Sequence, residues 1–194
     1  MPPVRDEIQE RYLKKAIAET LELGDEIGRS GGAGRVPVLG SGHPLADIFL
    51  LKYRPQPAEV QEGVAFFGRA GQAILKSLQR LHVDPMAVYG TNCLKFEDGD
   101  EEESRPWLVR ELRIVQPKLL LVMGEEALAC VNSLELPLAD PLEYRVGELQ
   151  RFTATIEALV CPDIDSSLDE QPAKTRFWNA FKRLGPWWAE LPPY

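Results

Sequence analysis

The sequence predicts an α/β fold, a three-layer α/β/α sandwich around a short, mainly parallel central sheet. Two observations carry this. Apolar runs of strand length alternate with stretches whose apolar residues recur at helical spacing, the pattern of strands joined by crossover helices and covered on both faces. The chain has 194 residues, 44% of them apolar, with four tryptophans, enough for one core that buries roughly 70% of the unfolded surface.

The elements follow in order. Leu13, Ile17 and Leu21, beside Ile8, Tyr12 and Ala16, have helical spacing and lead to the glycines between Gly28 and Gly34. Residues 1–34 therefore read as a docking helix with a flexible Gly-rich linker, ahead of one α/β domain over 35–194. Residues 46–51 are an apolar run bounded by Pro44 and Arg54-Pro55, which suits a buried strand. Ile74, Leu75, Leu78 and Leu81 then mark one face of a helix over 69–81, and 86–89 reads as the next strand. Ser104 with Pro106 signals a helix start, Leu108, Leu112 and Val115 form its apolar stripe, and 118–123 is the third strand. Gly124 turns into a helix over 125–133. A looser stretch with Pro137 and Pro141 precedes β-rich sequence over 149–160, and a final helix is centred on Phe177, Phe181 and Leu184.

In open parallel sheets, ligands sit beyond the carboxyl ends of the strands. Those ends are Lys52-Tyr53-Arg54, Thr91-Asn92, Gly124 and Cys161-Pro162-Asp163, and they form the candidate site.

A net charge of −8 argues against non-specific coating of DNA, which rests on many Lys and Arg at phosphates. The charge is uneven: from Lys52 to Lys95 there are six basic residues against three acidic ones, either a locally basic face or a solvated helix face. The three cysteines, Cys93, Cys130 and Cys161, are far apart and show no metal-ligand spacing, so no metal, cofactor or disulfide is expected. No run of about 18 uncharged apolar residues occurs. The N-terminal residues Arg5, Asp6, Glu7, Glu10 and Arg11 resemble neither a signal nor a transit peptide, so a cytoplasmic location without a membrane partner is expected.

Phe66-Phe67-Gly68-Arg69-Ala70-Gly71 opening a helix, Tyr89-Gly90-Thr91-Asn92-Cys93-Leu94-Lys95 closing a strand, Arg105-Pro106-Trp107-Leu108, and a strand ending at Met123-Gly124 occur in that order. Over roughly residues 45–185 the chain thus resembles the uracil-DNA glycosylase superfamily, in particular its family 4, the iron–sulfur branch. The resemblance implies a uracil-DNA glycosylase-like fold and a pocket that receives a base taken out of the stack. Phe66 is then the stacking ring, and Asn92 the amide that reads the base edge with one donor and one acceptor. Taken singly, Phe66 also suits a core aromatic and Asn92 a strand-end cap. Lys52, Arg54, Arg69 and Lys95 are the candidate phosphate or DNA contacts.

Three departures from the family pattern stand out. The first catalytic motif, G-E-A-P-G, falls on Lys52-Tyr53-Arg54-Pro55-Gln56, so only its proline is kept. Bulk and positive charge enter where backbone must approach the substrate, and a cation there opposes the oxocarbenium-like sugar of glycosidic cleavage. The second motif, H-P-S, appears as Cys161-Pro162-Asp163. Replacing its histidine by the weak donor Cys161 costs on the order of a hundredfold in rate, and Asp163 and Asp165 repel phosphate. The same stretch also reads as a helix entrance, with Ser166 or Ser167 and Asp169 or Glu170 as a capping box. Third, the four-iron four-sulfur cluster of the family needs four thiolates. Two of those positions are Phe96 and Ser104 here, and no cysteine precedes Cys93. Six acidic residues between Glu97 and Glu103 suit a helix N-terminus and discourage DNA on that side.

The catalytic positions by motif are therefore Tyr53, Cys161 and Asp163. The expected function is a superfamily member with a base-binding pocket whose glycosylase activity is lost or strongly altered. Its partner would be single-stranded or damaged DNA or a nucleobase-like ligand. Two alternatives stay open. One is an active base-excision enzyme in which Asp163 or Asp165 orients water and Tyr53 or Arg54 contacts the leaving base. The other is a protein-interaction module on the same fold, with Lys52, Tyr53 and Arg54 filling the pocket and the Pro186-Trp187-Trp188 tail or the N-terminal helix at an interface.

Overall fold

The structure, a computed structural model, describes residues 4–192. In chain order the elements are α1 (Val4–Gly31), β1 (Ser41–Gly42), β2 (Ile48–Lys52), α2 (Pro57–Glu62), α3 (Arg69–Arg80), β3 (Val88–Asn92) and α4 (Glu101–Val115). There follow β4 (Leu119–Met123), α5 (Glu125–Asn132), β5 (Leu149–Arg151), β6 (Glu157–Cys161), α6 (Gln171–Phe181) and α7 (Leu184–Ala189). The strands form one sheet in the order β1-β3-β2-β4-β6-β5. The four central strands are parallel, and the short edge strands β1 and β5 are antiparallel to their neighbours.

The sequence Ile-Phe-Leu-Leu-Lys of β2 shows why the sheet is buried on both faces. Ile48 and Leu50 pack under α3, α6 and α7, whereas Phe49 and Leu51 pack under α4 and α5. All five residues of β2, β3 and β4 are buried. The expected three-layer sandwich is thus observed, and no described helix is long and apolar enough to cross a membrane.

Several boundaries differ from the sequence reading. Helix α1 runs through Gly28 to Gly31 instead of breaking there. Gly31 is required inside it, because a Cβ at that position would lie 2.6 Å from the Phe96 ring. The helix docks through Ala16, Leu23 and Ile27, while Ile8, Tyr12, Ile17 and Leu21 of the expected docking stripe are exposed. Only the C-terminal part of α1 lies against the body of the protein, so the apolar spacing of the first turns meets no partner surface in the described chain.

Helix α4 begins at Glu101, three residues before Ser104, because the Asp100 carboxylate caps it by accepting from the Glu103 N–H at 2.8 Å. Pro106 lies inside the helix. The expected strand over 86–89 begins two residues later, after a 3₁₀ turn capped by Asp84. The expected capping box over 166–170 is instead an Asp163 carboxylate accepting from the Ser166 N–H at 2.9 Å, followed by a 3₁₀ turn.

From β2 the chain moves to β3 on one side of the sheet and later returns to β4 on the other. The strand order reverses at β2, and the carboxyl ends flanking this reversal are where such sheets bind ligands.

Candidate functional site

The end of β2 is the centre of the site. Register pairs Lys52 with Asn92, the last residue of β3. Strand alternation directs Lys52 to the same layer as Leu50, toward Phe66, and Tyr53 to the opposite layer. Residues 53–56 turn the chain into α2, whose Glu59 carboxylate faces back into the protein, where it is 1% exposed.

Glu59 holds the site together. Its Oε2 accepts from Lys52 Nζ at 2.7 Å and from the Gln56 N–H at 2.7 Å. Its Oε1 accepts from the Phe66 N–H at 2.6 Å and from Asn92 Nδ2 at 3.2 Å. The Lys52 ammonium is fully buried and also meets the Arg54 carbonyl at 2.9 Å and the Asp165 carboxylate at 3.0 Å. It lies 5.6 Å from the centre of the Phe66 ring. The Lys52–Glu59 ion pair thus ties the Phe66 backbone and the Asn92 amide together at the end of β2. Asn92 is fully buried and its Oδ1 has no hydrogen-bond partner among the described residues, an uncompensated desolvation worth about 1–3 kcal/mol.

Phe66 is held with a left-handed backbone, φ 62°, a costly conformation for a non-glycine residue. Two glycines accommodate it. A Cβ at Gly71 would lie 1.8 Å from the Phe66 carbonyl oxygen, and one at Gly90 would lie 2.7 Å from its ring.

The other site candidates are spread over separate environments. Cys161 is fully buried in the layer under α6, where burial pushes its thiol well up, so it does not face the crevice. Asp163 does line the crevice but spends its carboxylate on the Ser166 N–H. Tyr53 donates to Glu101 at 3.0 Å, and burial followed by that carboxylate pushes its phenol up to about 12.

The four basic positions expected at phosphate are all paired with carboxylates. Lys52 and Lys95 are fully buried, Lys95 on Glu111 with Thr91 and the Asn92 carbonyl. Arg54 meets Glu126 at 3.6 Å, and Arg69 meets Asp169 at 2.8 Å. Burial removes the first two from any contact with a DNA backbone in this conformation.

Beside the cluster, at the carboxyl ends of β2, β4 and β6, a crevice of about 460 Å³ is lined by residues that include Tyr53, Arg54, Gly124, Glu126, Tyr144 and Asp165. Asp165 separates Lys52 from this crevice. Its carboxyl is raised by desolvation, against the lowering effect of Lys52.

Glu59 and the buried pairing of Asp165 were not identified from sequence as parts of the site. The signal for Glu59 was present: Gln56, then Pro57, then a glutamate two residues on, is a helix start whose acidic side chain folds back to the capping residue's N–H.

An open, mainly parallel sheet whose strand order reverses at β2, with Phe66, Asn92 and the buried Lys52–Glu59 pair at that point, defines an α/β protein whose candidate site lies at a topological switch point. A family model described as the uracil DNA glycosylase superfamily matches residues 39–183, and the chain belongs to that superfamily. A type-4 uracil-DNA glycosylase of Archaeoglobus fulgidus is 23% identical over 159 residues, covering 76% of this chain and 80% of that protein. Those of Sulfurisphaera tokodaii and Pyrobaculum aerophilum are 29% and 26% identical, over 99 and 95 residues. These two matches span about half of each protein, 45% and 48% of the relatives' own lengths.

The residues at the expected cluster positions do not fit an iron–sulfur group. Phe96 and Ser104 are both buried and offer no thiolate. Among the described residues no group of three or more His, Cys, Asp or Glu side chains is arranged to hold a metal ion.

Proposed function

We propose that this protein is a non-excising member of the superfamily, which acts by binding and not by breaking a glycosidic bond. One observation carries the reading: Glu59, ion-paired with the buried Lys52, already engages the Asn92 amide and the Phe66 N–H. A base edge cannot take the Asn92 Nδ2 donor while Glu59 accepts from it. The pair is costly to displace, because either ion left alone in the interior loses its compensation. Of the three residues at the first motif position, Lys52 turns to the Phe66 layer, Tyr53 to the opposite layer and Arg54 to the surface.

The test uses purified protein in large excess over single-stranded and mismatched duplex oligonucleotides carrying uracil, hypoxanthine or xanthine. Alkali then reveals abasic sites. The expected result is no strand cleavage by the wild type. Wild-type cleavage abolished by Asn92→Ala would overturn the proposal.

A second reading, base excision with altered residues, is favoured by one feature. Asp165 faces the crevice with a carboxyl raised by desolvation, as a water-orienting or proton-carrying group would be. It requires wild-type cleavage that is lost in Asp165→Asn.

A further inference from the structure

We propose that an aromatic–guanidinium staple has taken over the structural work of the iron–sulfur cluster implied by the resemblance to the iron–sulfur branch, so that the fold depends on neither iron nor redox state. Phe96, at one of the implied cluster positions, is 1% exposed. Its ring packs edge-on to Trp107 of α4, with centroids 6.1 Å apart at 64°, in a small core shared with Leu23 and Ile27 of α1.

The Arg35 guanidinium lies 4.0 Å from the centre of the same ring. It is oriented by a two-pronged bond to Glu103 at 2.7 and 3.0 Å and by Asp98 at 2.9 Å. Gly31 approaches the ring so closely that no side chain fits there. Ser104, at the second implied position, uses its hydroxyl to accept from the Lys95 N–H at 3.2 Å. The Val38 N–H donates to the Lys95 carbonyl at 2.7 Å.

These contacts join the end of α1, the segment after it, the loop leading out of β3 and the start of α4. Four thiolates on a cubic cluster would tether such chain segments covalently, and one buried ring gripped by a cation does so by packing. A buried ring stands at one implied cluster position and a hydrogen-bonded hydroxyl at the other, and neither offers a thiolate to a cluster.

The experiment has two arms. Iron and acid-labile sulfide are measured in protein purified anaerobically from iron-supplemented cells, with thermal unfolding before and after treatment with a strong iron chelator. Sub-stoichiometric iron, no visible cluster absorption and an unchanged Tm are expected. The second arm measures Phe96→Ala, Arg35→Met and the milder Phe96→Leu by thermal unfolding, Trp107 emission and amide exchange of α1. Phe96→Ala is expected to lower Tm by about 10 °C and Arg35→Met by about 3 °C. Both should speed exchange in the last turns of α1 selectively. If Phe96→Ala does not fold, Phe96→Leu and Arg35→Met carry the same comparison. Stoichiometric iron with a Tm that falls on its removal would overturn the proposal, as would variants that leave Tm and α1 exchange unchanged.

Discussion

Replacing Glu59 by alanine removes the acceptor for four donors at once: the Lys52 ammonium, the Gln56 and Phe66 N–H groups and the Asn92 amide. Breaking a buried ion pair from one side costs about 3–5 kcal/mol. The two backbone donors are only partly buried, so they add at the low end of the about 1–3 kcal/mol for an orphaned donor. Asp165 still faces the ammonium at 3.0 Å and limits the loss. The net expectation is about 5 kcal/mol, a fall in Tm of about 15 °C for a chain of this size. Lys52→Met should cost less, about 2 kcal/mol, because the carboxylate keeps three N–H donors that stabilise its charge. Equilibrium urea unfolding of both single variants and the double variant measures the pair directly. If Glu59→Ala stays within about 1 kcal/mol of the wild type, or Lys52→Met costs more than Glu59→Ala, the carboxylate is not the organising group and the reasoning fails.

Asp165 is raised in the folded chain, so folding takes up a proton between its unfolded value of about 3.9 and the higher folded one. Its contribution is fully present below the unfolded value and is lost as pH rises through the folded one. The difference in urea midpoint between wild type and Asp165→Asn should therefore drift against the wild type as pH rises through that window, and a pH-independent difference would contradict it. Tyr53, raised to about 12, should titrate well above an ordinary phenol. Its contribution to stability is fully present below its unfolded value of about 10 and is lost as pH rises from there through the folded value. Ultraviolet titration should show high-pH tyrosinate absorbance that is smaller by one tyrosine in Tyr53→Phe. Gly71→Ala places a Cβ against the Phe66 carbonyl at 1.8 Å and should shift the 66–68 turn at a cost of about 1–3 kcal/mol. A wild-type Tm would mean that the turn gives way freely.

The sheet was legible because its strands are short, apolar on both faces and separated by helices with clear stripes, as in Ile48–Lys52 and Leu119–Met123. Helix ends were less legible, because they turn on side chains that reach back to the backbone. Asp100 captures the Glu103 N–H and starts α4 ahead of the Ser-Arg-Pro signal. In α1, glycine reads as a breaker, and only the approach of Phe96 shows why Gly31 belongs in the helix.

The sequence by itself determined the family and the parallel sheet, since both rest on residue type and spacing along the chain. It also placed the Lys52 charge at the end of a strand. Only the tertiary structure decided where that charge goes. Whether a lysine at a strand end reaches solvent, DNA or the interior depends on which carboxylates fold in beside it. Glu59 arrives from the next helix and Asp165 from beyond the last strand, more than a hundred residues away in the chain. Local pattern carries no information about such a meeting, because the energy of a buried ion pair arises from groups brought together by the packing of elements that are themselves remote in sequence.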